Sequence, residues 1–135
     1  MKTIELNFGG YWIDKENLPN YQGVYLVYRG VYNEKTDKVS IKELLYIGQA
    51  ENICERHSTH EKQTQFEESL KTGEILCYAA TKVSSSDLSR VEGGLIYKCQ
   101  PPLNDKCTQS FNHAGTLFKV SGRCWGIPTE FTVDE

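Results

Sequence analysis

No run of apolar residues in the chain approaches the roughly 18 that a membrane-spanning helix requires. The N-terminal residues also lack the basic-then-apolar layout of a signal peptide, so we expect a cytoplasmic protein outside the membrane. Repeats, low-complexity runs and long linkers are missing, and 135 residues correspond to about one domain. With 39% hydrophobic and 24% charged residues, the composition is typical of a globular protein rather than a disordered one.

The sequence has no CxxC pair, and its number of cysteines is odd. They are scattered through the chain as Cys54, Cys77, Cys99, Cys107 and Cys124. In a cytoplasmic protein we expect them to be reduced and partly buried. A zinc site could still be assembled from Cys99, Cys107, His113 and Cys124, although their spacing lacks the paired-ligand pattern of structural zinc sites.

The chain lacks a net positive charge: its formal net charge is −3 and its pI is about 5.7. This excludes a protein that coats nucleic acid by charge alone, because phosphate binding is driven by lysine and arginine. Residues 98–125 differ, with four basic residues and the single acid Asp105. These charges predict either a basic functional surface or an ordinary solvated segment. The candidate DNA contacts in this segment are Lys98, Lys106, Lys119 and Arg123.

Alternating and apolar patterns predict several short strands, at residues 21–28, 44–48, 74–83, 116–120 and 130–133. The first two would form a hairpin with a long polar insert at about residues 29–43. Helices are expected over residues 50–60, 61–71 and 87–98. We therefore predict an α+β fold: a small antiparallel three-stranded sheet flanked by helices, with a C-terminal β extension.

Ionisable side chains are predicted on the interior side of the first helix. Arg56 and His60 flank Ile53, the only large aliphatic residue of residues 50–60, whereas solvated charges would be expected on the opposite side. Ordinary surface charges are the alternative explanation.

Glu92 falls within the apolar arc of the helix after Asp87. A carboxylate there is costly to desolvate unless a cation or a metal meets it. Gly93 and Gly94 follow directly and weaken the helix, which indicates that another element packs close by. A structural Glu–Arg pair without any chemistry is the alternative.

Tyr25 and Tyr46 occupy matching places on the two hairpin strands and can be cross-strand neighbours. Buried tyrosines are usually core residues with one hydrogen bond. Together with Arg56, His60 and Glu92, however, they would supply a base, a cation and a metal ligand, which is what phosphodiester cleavage requires.

In this chain Gly23-Val24-Tyr25 and Tyr46-Ile47-Gly48 resemble the two strand motifs of the GIY-YIG nuclease superfamily, with Val in place of the first Ile. Arg56 and His60 are similar to the family's arginine and the histidine that follows it one turn later. Glu92 and the segment Pro101-Pro102-Leu103-Asn104 match its metal-binding glutamate and closing motif. The resemblance covers about residues 21–104.

The resemblance implies a divalent-metal-dependent endonuclease that hydrolyses DNA phosphodiester bonds. Tyr25 would be the general base or would position the attacking water, with Tyr46 as the second candidate. Arg56 would stabilise the phosphate in the transition state, and His60 would orient a phenol or the phosphate. Because free tyrosine has a pKa near 10, a basic role would need help from Arg56 or the metal.

Glu92 would hold one Mg²⁺ or Mn²⁺, with water in the remaining positions, and Asn104 would brace the site. Residues 1–20 would be an N-terminal extension, and residues 105–135 a C-terminal extension packed on the same domain. The chain has no room for a separate DNA-binding domain, so specificity would come from the insert, the basic segment or a second subunit, as in a homodimer. A catalytically weak or inactive DNA-binding or regulatory module, and an unrelated α+β enzyme or structural protein, are the alternatives.

Overall fold

The computed structural model describes residues 1–134. Six strands and three short helices follow one another along the chain: β1 (Lys2–Trp12), β2 (Gly23–Asn33), β3 (Lys38–Ala50), α1 (Ile53–Ser58), α2 (Gln63–Glu68), β4 (Ile75–Lys82), α3 (Leu88–Cys99), β5 (Thr116–Gly122) and β6 (Glu130–Val133). A single 3-10 turn occupies Lys15–Asn17. In this part of the chain, no helix combines the length and the apolar character needed to cross a bilayer.

All six strands belong to one mixed sheet in the order β3-β2-β4-β1-β5-β6, curled into a half-barrel. The pair of β1 and β5 is parallel and the other neighbours are antiparallel. β1 joins the two halves of the sheet, because it pairs with β5 through Lys2–Phe8 and with β4 through Gly9, Gly10 and Trp12.

The expected three-stranded antiparallel sheet flanked by helices is therefore wrong. Residues 1–20 contain a strand of the sheet interior, since Ile4, Leu6 and Phe8 alternate with exposed residues and are buried in the core. β5 and β6 are likewise members of the same sheet and not a separate C-terminal β extension. Most of the chain's regular structure is sheet, and the three helices are short.

The hairpin of β2 and β3 is longer than the two motifs alone suggest. The strands stay paired from Gly23 opposite Ala50 to Asn33 opposite Lys38, so residues 29–43 prolong both strands instead of forming an irregular insert. The guanidinium of Arg29 donates hydrogen bonds to the carboxylates of Glu43 at 2.9 Å and Glu74 at 2.6 Å. These bonds connect the middle of the hairpin to the start of β4.

The sheet separates two apolar cores. Val24, Leu26 and Tyr28 of β2 face the core that contains α3, and Tyr25 and Val27 face the core covered by α1 and α2. This alternation follows from the two-residue period of a strand. Strand β2 is therefore buried on both faces, and it holds Tyr25 in a fixed position.

Of the paired glycines of α3, Gly94 is closely packed against another element, as expected from the sequence, whereas Gly93 has only ordinary contacts. A Cβ at Gly94 would press against the ring of Phe118 on β5, and the ring of Phe111 lies nearby. The glycine allows α3 to approach the sheet closely enough for Val91 and Leu95 to be fully buried. This packing places Glu92 beside the edge strand β3, where it contacts Gln49.

Candidate active site

The glycines of the two strand motifs are explained by contacts between neighbouring strands. Gly48 lies opposite Tyr25, and a Cβ at Gly48 would overlap Cζ and Oη of the tyrosine. A Cβ at Gly23 would overlap the carbonyl oxygen of Thr81 on β4. Because β3 is an edge strand, the missing side chain at Gly48 lets the phenol of Tyr25 cross it and reach the rim of the sheet.

A cavity of about 540 Å³ opens at this rim. Residues of β2, β3, all three helices and the segments after α1 and α3 line it. The structure brings five of the six predicted catalytic residues to its wall: Tyr25, Tyr46, Arg56, Glu92 and Asn104. The sixth, His60, contacts the cavity indirectly through Tyr25. Residues from sequence positions 25 to 104 thus meet at one place large enough for a phosphodiester.

His60 lies beyond the end of α1 and not on the helix over residues 50–60 that its spacing suggested. α1 begins after Asn52, whose side chain caps the helix by accepting the N–H of Glu55, and ends at Ser58. A turn then places His60 so that its Nδ1 accepts the N–H of Lys62 at 3.0 Å. Its Nε2 lies 2.7 Å from Oη of Tyr25.

These contacts fix the tautomer of His60. Since Nδ1 accepts a hydrogen bond, the ring proton resides on Nε2 and is donated to Oη of Tyr25. Burial, and secondarily the charge of Arg56, lowers the pKa of His60 to about 4, so the ring is neutral at pH 7. Tyr25 therefore accepts a bond from His60 and keeps its own proton for a partner in the cavity.

The two phenols are held in their neutral forms. Burial raises the pKa of Tyr25 and of Tyr46, and Glu92 adds to the rise in both, while Arg56 acts in the opposite direction; Tyr46 further raises the pKa of Tyr25. An added cation in the cavity would favour the tyrosinate form further. A proton-accepting tyrosine in this site therefore depends on positive charge close to its oxygen.

Arg56 supplies a permanent positive charge on the wall of the cavity. Its side chain is 31% exposed, and its Nη2 lies 3.4 Å from Oε1 of Glu61, which is itself 75% exposed. Such an exposed, long ion pair contributes little to stability. The guanidinium can therefore exchange Glu61 for a phosphate without a large loss of free energy of folding.

Glu92 lies on α3 with its carboxylate half-buried at the cavity. Burial raises its pKa, and a hydrogen bond of 2.9 Å from Nε2 of Gln49 to its Oε1 works against that rise. Lys106 is the neighbouring cation. The carboxylate is thus oriented by one neutral donor and directed to the same space as the two phenols.

Within residues 1–134, no three His, Cys, Asp or Glu side chains are grouped to hold a metal ion. Cys99, Cys107, His113 and Cys124 therefore do not assemble into the zinc site considered from the sequence. The donor set at the cavity nevertheless fits a magnesium-type ion. Mg²⁺ prefers oxygen ligands, keeps several waters and is commonly held by one or two carboxylates together with a substrate phosphate. Glu92 is a carboxylate of this kind, and its desolvated charge would be stabilised by a cation.

Asn104 binds the backbone of β3 with both ends of its amide. Its Oδ1 accepts the N–H of Ile47 at 3.0 Å, and its Nδ2 donates to the carbonyl of Ile47 at 2.8 Å. The N–H of Leu103 donates to the carbonyl of Leu45 at 3.1 Å. The segment after α3 is therefore fixed along the free edge of β3, where it forms one wall of the cavity.

Two contributors were missed by the reasoning from the sequence. His57, fully buried, packs its ring 4.3 Å from that of Tyr25 and 5.1 Å from that of His60. It lies four residues after Ile53, a spacing that indicates the interior face of α1. Gln49, the hydrogen-bond donor to Glu92, gave no signal beyond its position directly after Gly48.

The four candidate DNA contacts of residues 98–125 are not brought together. Lys106 lines the cavity, whereas Lys98, Lys119 and Arg123 line three other concavities of the surface. The positive charge of this segment is therefore distributed over several sides of the molecule.

Stability should fall as the pH drops below about 6.5, the pKa of a free histidine. Burial lowers the pKa of His57 to about 3 and that of His60 to about 4. Between pH 6.5 and these lowered pKa values the unfolded chain binds protons that the folded chain does not, so the free energy of unfolding decreases as the pH falls, by roughly 3 kcal/mol for each histidine at pH 4. Urea denaturation at pH 7.5, 6 and 5 measures this loss, and His57→Phe should reduce the slope.

Phe66→Leu is the control for that experiment, because Phe66 packs against His60 and carries no ionisable group. It should lower stability equally at every pH and leave the slope unchanged. An unchanged slope in both His57→Phe and His60→Gln would contradict the assignment of the acid sensitivity to this pair.

Comparisons with protein-family models, with curated proteins and with solved structures find no match to this chain. The argument for a function therefore depends on the residues around the cavity and on their chemistry.

Proposed function

We propose that the protein is a cytoplasmic, divalent-metal-dependent endonuclease that hydrolyses phosphodiester bonds of DNA. The observation that carries this proposal is the convergence of Tyr25, Arg56 and Glu92 on one cavity of about 540 Å³. A phenol, a guanidinium and a carboxylate are the groups that hold an attacking water, a phosphate and a metal ion, respectively. No structural need explains why all three should meet at the rim of the sheet.

Tyr25 is the group that positions the attacking water. His60 donates to Oη of Tyr25, which leaves the other lone pair of the phenol for a water in the cavity. The hydrogen bond from His60 also favours negative charge on the phenol oxygen, and Arg56 acts in the same direction. Tyr46 lines the same cavity and is the second candidate for this role.

Arg56 stabilises the charge that develops on the phosphate, since its planar fork fits two oxygens and remains charged at every relevant pH. Glu92 holds Mg²⁺ or Mn²⁺, oriented by Gln49. When bound, the ion supplies Lewis-acid stabilisation of the leaving oxygen. Asn104 keeps the wall of the cavity in place through the backbone of Ile47.

Nicking of supercoiled plasmid tests the proposal. Protein with Mg²⁺ or Mn²⁺ should convert the plasmid to the open-circular form, and EDTA should stop the reaction. Arg56→Ala should lower the rate by about 10² to 10³, the typical effect of losing one preorganised donor to the transition state. Because Glu61 is exposed and its pair with Arg56 is long, Glu61→Gln is the matched control and should cut within threefold of the wild type.

Nicking that persists in EDTA and in Arg56→Ala would show that the cavity is not the nuclease site. A wild-type protein that cuts no duplex, branched or single-stranded DNA with either metal would contradict the proposal itself. Since one chain offers one such cavity, we expect duplex cutting either through a dimer or through two successive nicks. Sedimentation of the protein with and without DNA distinguishes these routes.

A further inference from the structure

We propose that the loop between β5 and β6 carries a second nucleic-acid contact, in which Trp125 stacks on an unpaired base while Arg123 and Lys38 contact phosphates. The inference rests on the proposed function for its choice of partner, although the surface is separate from the cavity. It concerns an exposed indole, a cationic concavity and their position along the edge of β3.

Trp125 is exposed in a way that does not come from a loose loop. The residue is 47% exposed, yet its backbone is held at both ends: the N–H donates to Oη of Tyr11 at 3.0 Å, and the carbonyl accepts from Oη of Tyr28 at 2.7 Å. The ring of Tyr28 also packs edge-on to the indole, with centroids 6.4 Å apart. Tyr11 and Tyr28 thus fix the backbone of Trp125 while about half of the residue stays exposed.

A cationic concavity adjoins this indole. Tyr11, which holds the N–H of Trp125, also lines a concavity of about 540 Å³ with Arg123, Lys38 and Asp37 among its walls. Asp37 accepts a hydrogen bond from Tyr32, and no carboxylate forms an ion pair with Arg123 or Lys38 within residues 1–134. The local charge is therefore positive on a chain whose net charge is −3.

An aromatic face beside unpaired cations matches single-stranded nucleic acid better than it matches other partners. Bases stack on exposed aromatic rings without regard to sequence, and the neighbouring phosphates are attracted by arginine and lysine. A duplex offers no free base face, and an apolar protein partner would leave the two cations unpaired. The chemistry of the patch therefore favours an unpaired strand.

The position of the patch formed by Trp125, Arg123 and Lys38 is compatible with a nucleic-acid strand that also reaches the cavity. Gly126 packs against Leu44 of β3, and Gln49, which binds Glu92, lies five residues further along the same edge. Five residues of a strand span about 17 Å, and five nucleotide steps of one strand span a similar length at 3.4 Å each. A single nucleic-acid strand of this length can therefore reach from a scissile phosphate in the cavity, over Leu103 and Asn104 on the β3 edge, to an unpaired base on Trp125.

Binding without cleavage tests this inference. The chain has two tryptophans, so Trp12→Phe leaves Trp125 as the sole tryptophan, whose fluorescence can be excited selectively. In EDTA, a twelve-nucleotide oligothymidylate should quench its fluorescence saturably. Anisotropy of the labelled oligonucleotide should show that Trp125→Ala weakens binding between about 5-fold and 150-fold, the range for loss of one base stack, while Trp125→Phe keeps most of the affinity.

Arg123→Gln should reduce the slope of log affinity against log salt by about 0.7, the value for one phosphate contact on a single strand. Two matched controls should leave binding unchanged: Tyr97→Ala, which removes an exposed aromatic on α3, and Lys82→Ala, which removes an exposed cation at the end of β4. Trp125→Ala should keep the native melting temperature, because both tyrosine hydrogen bonds are to its backbone.

Unchanged binding in Trp125→Ala would overturn the inference, and so would stronger quenching by the corresponding duplex. A wild-type dimer that dissociates in Trp125→Ala, without quenching by the oligonucleotide, would identify the patch as a contact between copies and also overturn it. The plasmid assay remains an independent readout. Cutting without Trp125 quenching rejects only the second contact, and quenching without cutting rejects only the nuclease.

Discussion

Replacing Glu92 with glutamine should abolish DNA cutting and leave the folded protein at least as stable as the wild type. Burial raises the pKa of Glu92, which means that the folded state disfavours its ionised form at neutral pH. A neutral amide removes that cost and can keep the contact with Gln49. It is, however, a poor ligand for Mg²⁺, so we expect cutting to fall by at least about a thousandfold. Urea denaturation and plasmid nicking of the same preparation measure both effects.

Glu74→Gln is the matched control, because Glu74 is another carboxylate with little exposure. Its partner is Arg29 at 2.6 Å, and the N–H of Lys71 together with Arg29 lowers the pKa of Glu74. Removing its charge should therefore destabilise the protein at neutral pH and leave cutting unchanged. If Glu92→Gln destabilised the protein as Glu74→Gln does and still cut DNA, Glu92 would be a structural residue.

Gly48→Ala should cost about 3 kcal/mol of stability, the upper part of the range for overpacking a core, and should also abolish cutting. The backbone at Gly48 does not require glycine, since its φ is not among the positive values of the chain. The expected effect is instead steric, because the new Cβ would overlap Cζ and Oη of Tyr25. Relief requires moving the phenol away from His60 and the cavity. Thermal denaturation and plasmid nicking measure the two losses.

Gly73→Ala separates steric from backbone effects. Gly73 has φ of +82° with nothing within 4 Å of a Cβ, so alanine there should cost about 1 kcal/mol through strain alone and leave cutting intact. Combining Gly48→Ala with Tyr25→Phe should give no relief, because the phenylalanine ring keeps Cζ. A fully stable and active Gly48→Ala would show that the sheet edge yields easily and that Tyr25 is not fixed by it.

The elements with a strong local pattern were predictable from the sequence. β2, β4 and α3 lie close to their expected positions, because β-branched and aromatic residues or an apolar helical arc determine them locally. β1 was missed even though Ile4, Leu6 and Phe8 alternate with polar residues, and the order of the strands could not be predicted. That order depends on pairing between distant segments, on which local propensity carries no information.

The candidate site was predictable in its residues and less so in its geometry. Arg56 and Glu92 were noticed as ionisable groups on interior faces, and the structure places both at the cavity. His60 was selected by helical spacing, although a turn positions it. His57 and Gln49 escaped notice because a buried histidine beside aliphatic residues and a strand glutamine are both common in structural roles. Whether these groups cut DNA stays a prediction.

The pairing of β1 has a consequence for the order in which the molecule folds. Lys2 lies opposite Thr116, so the first strand must wait for more than a hundred further residues to emerge from the ribosome before its parallel partner exists. Closing so long a loop is entropically costly, and contacts of this separation slow folding. Until β5 has been synthesised, the apolar face of β1 is exposed and the edge that pairs with β5 has no partner. The nascent chain should therefore be most prone to self-association at that stage.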